Sequence, residues 1–133
     1  MFFARQDMDK DTVLLELRDA KSALIRWRQY AQGLINGMSV GSRATPVEPH
    51  ECVFGKWFHS TGKEQLSHIP HYHAANESHA VMHRIHDHIH QLMQSDQIEH
   101  AQQQWKHLIE VYHKLLDELA AMEHHLSAEF QPA

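Results

Sequence analysis

Apolar residues recur at steps of three and four positions along most of the chain, and this periodicity restricts the fold more than any other feature. It is clearest towards the C-terminus, where a heptad-like seam comprises Ile98, Ala101, Trp105, Leu108, Tyr112, Leu115, Leu119, Met122 and Leu126. No segment alternates apolar and polar residues in the way that is typical of a strand. The sequence therefore predicts an all-α protein.

Upstream of this seam the sequence predicts one long helix and one short helix. The long helix runs from Thr12 to about Gly37, because leucines, alanines and a tryptophan recur there at helical spacing. Residues 39–49 are rich in Gly, Ser, Thr and Pro and are predicted to form a loop. A short helix is predicted over His50–His59, with Ser60, Thr61 and Gly62 ending it.

A second long helix precedes the C-terminal one. The segment around Pro70 is predicted to be irregular, and the helix is predicted to begin at Asn76 or Ser78 and to end near Gln94. Each long helix has an apolar stripe that needs a partner. A four-helix bundle, with three long helices and a short one, is the expected architecture, and residues 1–133 are expected to form a single domain.

Charge and apolar content exclude several classes of function. The formal net charge is −5, and no cluster of Lys and Arg could follow a phosphate backbone, so nucleic acid is not expected as a partner. No apolar run approaches the roughly 20 residues of a membrane span, and the N-terminus does not resemble a signal peptide. We therefore expect a cytoplasmic protein without membrane insertion.

The chain combines one cysteine with 15 histidines, which indicates metal chemistry. His79 and His83 are four residues apart on a predicted helix, so both side chains leave the same face one turn apart. A thiolate from Cys52 would complete a donor set suited to zinc. The simpler alternatives are solvated surface histidines and a small buried cysteine. We predict that Cys52, His79 and His83 bind Zn²⁺.

The residues around the thiol resemble the bacterial chemoreceptor zinc-binding domain, a cytoplasmic four-helix module found with chemoreceptors and diguanylate cyclases. Trp27 matches the first aromatic residue of the family pattern, Cys52–Trp57 match its cysteine box, and His79 and His83 match its final His-x-x-x-His. The resemblance spans about residues 14–92. It implies a regulatory module that responds to zinc or to thiol oxidation and acts on a signalling protein or on a second copy of itself, with a homodimer as one possibility.

This sequence departs from the family pattern at one position of the expected zinc site. The family has a histidine ligand three residues before its first aromatic residue, where this chain has Leu24. Leucine cannot coordinate a metal. Three outcomes are open: water completes the coordination, His50 or His86 replaces the missing ligand, or the site is lost and Leu24 fills the space.

Other functions fit parts of the sequence. Pairs of histidine and carboxylate, His73 with Glu77 and His113 with Asp117, invite comparison with the hemerythrin-like di-iron bundle that binds oxygen. A metal-free helical dimerisation domain is a further alternative, for which Leu24 is the supporting feature. No positioned general base stands out, so the protein is not expected to be an enzyme.

Overall fold

The structure, a computed structural model, describes residues 10–37 and 52–129. Within these ranges the chain forms five helices and no strand: α1 (Lys10–Ile35), α2 (Val53–Phe58), α3 (Thr61–Leu66), α4 (Pro70–Gln94) and α5 (Ile98–Glu129). The prediction of an all-α protein is confirmed. None of these helices combines the length and the hydropathy that crossing a bilayer requires.

The helical content between Ser60 and Asn76 is higher than the sequence predicted. The chain enters α3 directly after α2, and α4 begins at Pro70 rather than at Asn76 or Ser78. Proline is favourable in a first turn because the N–H that it lacks has no partner within the helix anyway. The irregular segment is therefore shorter than predicted: it comprises residues 67–69, because Pro70 begins the helix.

The core lies between the three long helices. In α5 the predicted seam is largely buried: Ala101, Leu108, Tyr112, Leu115, Leu119, Met122 and Leu126 are each at most 5% exposed. Two positions depart from it, since Ile98 is 37% exposed at the start of the helix and Trp105 is partly buried. Both lie near the turn between α4 and α5, where less of the molecule surrounds them.

Side-chain contacts fix the helix directions. Lys21 pairs with Glu123 at 2.5 Å, and the Arg28 guanidinium lies 5.9 Å from the Tyr112 ring, so α1 runs antiparallel to α5. Because a short turn also makes α4 antiparallel to α5, α1 and α4 run parallel. Trp27 of α1 contacts residues 83 and 86 of α4. Leu24 is one turn earlier than Trp27 in α1, so it lies level with the turn of α4 that precedes residue 83.

Candidate metal centre

Three predicted metal ligands come together although the first two are 27 positions apart in the sequence. Cys52, His79 and His83 each offer one ligand atom, and these atoms lie within 4.8 Å of one another. The side chains are 4%, 0% and 1% exposed. Among the residues that the structure describes, they are the one group of three or more His, Cys, Asp or Glu side chains with this geometry.

The distances in this group suit a small tetrahedral cation. Cys52 Sγ lies 3.3 Å from His79 Nε2. Two donors on a tetrahedral zinc ion, with bonds of about 2.0–2.3 Å, are about 3.3–3.6 Å apart. The imidazoles of His79 and His83 are nearly perpendicular at 87°, with centroids 4.6 Å apart. The group can therefore hold a metal ion after small side-chain adjustments.

Cys52 is positioned by the start of α2, where it is the N-cap residue with extended backbone angles. Its sulfur accepts a hydrogen bond from the Gly55 N–H at 3.2 Å, and Phe54 packs edge-on against His79 at 4.9 Å. Burial raises the pKa of the Cys52 thiol, although the Gly55 N–H opposes this effect. Without a cation the thiol is therefore protonated at neutral pH, and a bound metal would favour the thiolate.

Aromatic residues and two hydrogen bonds hold α2 against its neighbours. Phe58 stacks on Tyr72 at 4.3 Å, and the Tyr72 hydroxyl donates to the Phe58 carbonyl at 2.8 Å. On the other side, Trp57 Nε1 donates to Glu16 of α1 at 3.0 Å. A β-carbon at position 62 would lie 3.0 Å from the Trp57 carbonyl oxygen, so Gly62 permits this close approach. The position of Cys52 is thus coupled to both α1 and α4.

The two histidine ligands lie on the buried face of α4. Burial, together with the smaller effects of the neighbouring His83 and His59, lowers the pKa of His79 to about 2. A neutral imidazole is the form that binds metals. His79 is therefore ready to coordinate at any pH at which the protein is folded, without first losing a proton.

The residues considered for the fourth ligand occupy different surroundings. Leu24 is fully buried in the core. His86 is 1% exposed and packs against Trp27 at 5.0 Å, and it does not belong to the three-ligand group. His50 lies outside the described residues. In the structure, His86 therefore does not join Cys52, His79 and His83 as a fourth ligand.

Sequence reasoning missed a third imidazole beside this group. His59 is the C-cap residue of α2, and its ring centroid lies 6.1 Å from that of His79. The available signal was its spacing from Cys52, because seven residues correspond to about two turns and place both side chains on one side of a helix. The predicted helix over His50–His59 contained this signal, but the sequence did not show how that helix lies against α4.

The hemerythrin-like pairs do not form a buried site. His73, Glu77, His113 and Asp117 are all exposed, and the described structure brings none of them into a group of three metal ligands. A di-iron centre needs bridging carboxylates inside the bundle. The geometry therefore gives this alternative no support.

His86 makes the metal-free protein sensitive to acid. Neither of its ring nitrogens has a hydrogen-bond partner among the described residues, and burial lowers its pKa to about 4. The unfolded chain, with a histidine pKa of about 6.5, takes up the proton first. The contribution of neutral His86 to the free energy of unfolding is therefore complete above about pH 6.5 and is lost as the pH falls towards about 4. The lowered pKa of His79 has an effect of the same sign.

We expect His86→Leu to reduce this loss. Between about pH 7.5 and about pH 5 a single such histidine costs about 2 kcal/mol, and the leucine variant should retain that amount. Urea unfolding at both pH values, with a chelator present, measures the difference. His88→Leu, which changes an exposed histidine of the same helix, is the control and should behave as the wild type. Equal acid sensitivity of the His86 variant and the wild type would contradict the assignment.

Comparisons of the chain with protein-family models, with curated proteins and with solved structures found no match. What the centre does is therefore inferred from its own residues.

Proposed function

We propose that this protein is a zinc-binding regulatory domain of bacterial signal transduction, as its resemblance to the chemoreceptor zinc-binding domain implies. The supporting observation is the buried group of Cys52, His79 and His83. Zinc is the preferred ion because one thiolate and two imidazoles form a borderline-soft set, whereas Mg²⁺ and Ca²⁺ take oxygen ligands. Bound zinc would hold the thiol as a thiolate.

In this proposal the thiolate of Cys52 is both a metal ligand and the site of oxidation. Its sulfur attacks one oxygen of a peroxide, an S–O bond forms as the O–O bond breaks, and the other oxygen leaves as hydroxide. The resulting sulfenic acid is a weaker ligand. Because Cys52 is 4% exposed, both oxidation and metal exchange require α2 to move away from α4.

The contacts of α2 supply a route from the centre to the rest of the domain. Any displacement of α2 strains the Trp57–Glu16 hydrogen bond to α1 and the stacking of Phe58 on Tyr72 of α4. We propose that α1, α4 and α5 form a four-helix arrangement with the short cysteine helix, in the cytoplasm. The helix surfaces would pass the change to a signalling protein or to a second copy in a homodimer. No enzymatic activity is proposed.

Zinc titration of the protein after chelator treatment tests the proposal. We expect one equivalent to bind, the fluorescence of Trp27 to change because its ring lies 5.1 Å from His83, and amide exchange in α2 to slow. Addition of hydrogen peroxide to the loaded protein should release zinc to a chromophoric chelator. Absence of stoichiometric zinc binding would contradict the proposal. It would favour the metal-free dimerisation domain, which is the alternative that Leu24 supports.

A further inference from the structure

Three protein donors leave one position of a tetrahedral ion to be filled. In the resembling family that donor comes from the first helix, where this chain has Leu24. The described structure places one additional imidazole at the edge of the group, that of His59, with its centroid 6.1 Å from His79. By contrast, His86 is enclosed and packed against Trp27.

Cys52 and His59 flank α2. Cys52 is the N-cap and His59 the C-cap of this helix, so they lie on one side of it about two turns apart. His79 of α4 faces both, at 3.3 Å from the sulfur and 6.1 Å between ring centroids.

The remaining gap is small, and His59 is able to close it. Two imidazoles on one tetrahedral zinc ion have centroids about 5 Å apart, so the His59 ring must approach that of His79 by about 1 Å to share an ion with it. His59 is exposed, and an exposed side chain changes rotamer on a picosecond to nanosecond timescale without repacking the core. Its backbone is fixed, because its N–H donates to the Gly55 carbonyl at 3.0 Å.

We propose that His59 is the fourth zinc ligand, so that Cys52, His59, His79 and His83 form a Cys-His₃ site built from α2 and α4 alone. The inference rests on the proposed function, since it assumes that the three-residue group binds zinc. It gives α1 no ligand, so α1 senses the metal only through its contacts with α2 and α4. It also places one ligand at the surface, where the ion enters and leaves.

Zinc competition and cobalt spectroscopy on the full chain test the assignment. His59→Ala should weaken zinc binding about 10- to 100-fold. It should also change the visible d–d bands of the Co²⁺-loaded protein while leaving the sulfur-to-cobalt charge-transfer band in place. His59→Asp, which retains a donor, should recover part of the affinity. The matched control is His71→Ala, an exposed histidine in the first turn of α4, which should match the wild type in both measurements.

The results separate this inference from the proposed function. If His59→Ala binds zinc and cobalt as the wild type does, while Cys52→Ala loses the charge-transfer band, zinc binding stands and His59 is not a ligand. If the wild type shows neither stoichiometric binding nor a charge-transfer band, both are overturned. Circular dichroism of His59→Ala should match the wild type, because the substituted side chain is exposed.

Discussion

Replacement of Cys52 by alanine is expected to weaken zinc binding by more than about 100-fold, because it removes the one anionic donor of the centre. The remaining imidazoles are neutral, so the ion would keep its full charge inside a buried site. Loss of a residue that only hydrogen-bonds to a metal ligand already costs about 10- to 100-fold in metal affinity, and loss of the buried anionic ligand should cost more. The loss should exceed that expected for His59→Ala, because water can replace a neutral ligand at the surface, and it should be much larger than that of a histidine outside the centre.

The same substitution should destabilise the metal-free protein only modestly. The sulfur contacts the Gly55 N–H at 3.2 Å and His79 Nε2 at 3.3 Å, and alanine removes both hydrogen-bond contacts together with a small buried group, at about 1–3 kcal/mol. Zinc affinity by chelator competition and urea unfolding of the chelator-treated protein give the two quantities. Zinc binding by Cys52→Ala that equals that of the wild type would contradict a thiolate ligand.

The matched control for this experiment is a histidine outside the centre. His73→Ala changes an exposed imidazole in the first turn of α4, beside Tyr72 but away from the three donors. It should leave zinc affinity unchanged. A loss of affinity in this control would show that zinc binds to scattered surface histidines, of which a chain with 15 has many combinations.

The helices were predictable where one face of the helix is buried along its length. The α5 seam from Ala101 to Leu126 could be read from the sequence because packing and periodicity agree there. The start of α4 could not, because His71 and His73 in its first turn are exposed and carry no apolar pattern, and Pro70 suggests a break as readily as a first turn. Amphipathic periodicity arises where one face of a helix is buried, and most side chains in this first turn are exposed.

The chemistry of the metal centre and three of its ligands were predictable from the sequence, but the fourth ligand that we propose was not. One thiol and an i, i+4 pair of histidines limit the possible ligands, and the structure brings these residues together. The proximity of His59 depends on how α2 lies against α4, which is decided by the stacking of Phe58 on Tyr72. A tertiary contact of this kind leaves no local pattern in the sequence.

Introducing a histidine at position 24 is the most direct test of how this chain differs from the family that it resembles. Leu24 is fully buried, so Leu24→His should destabilise the metal-free protein by about 2–5 kcal/mol, through lost apolar contacts and an imidazole without a partner. Zinc should act in the opposite direction. The parallel packing of α1 and α4 places position 24 at the height of the His79–His83 turn, so the new imidazole can serve as a donor.

In a His59→Ala background, where the fourth position is open, Leu24→His should raise zinc affinity by about tenfold or more, and saturating zinc should stabilise this double variant more than it stabilises His59→Ala alone. Thermal unfolding with chelator and with excess zinc measures both effects. Leu17→His is the matched control, because Leu17 is equally buried on α1 but lies about two turns earlier. It should lose stability without additional recovery by zinc.

The same variant also separates the two candidate sources of the fourth ligand. In the wild type, removal of His59 should weaken zinc binding, whereas in a Leu24→His background it should cost much less, because a donor from α1 then fills the fourth position. A double-mutant cycle with His59→Ala and Leu24→His measures this coupling. Strictly additive effects would show that the two positions do not compete for one ion. In the His59→Ala background, Leu24→His with no greater recovery by zinc than Leu17→His would show that position 24 lies out of reach of the centre.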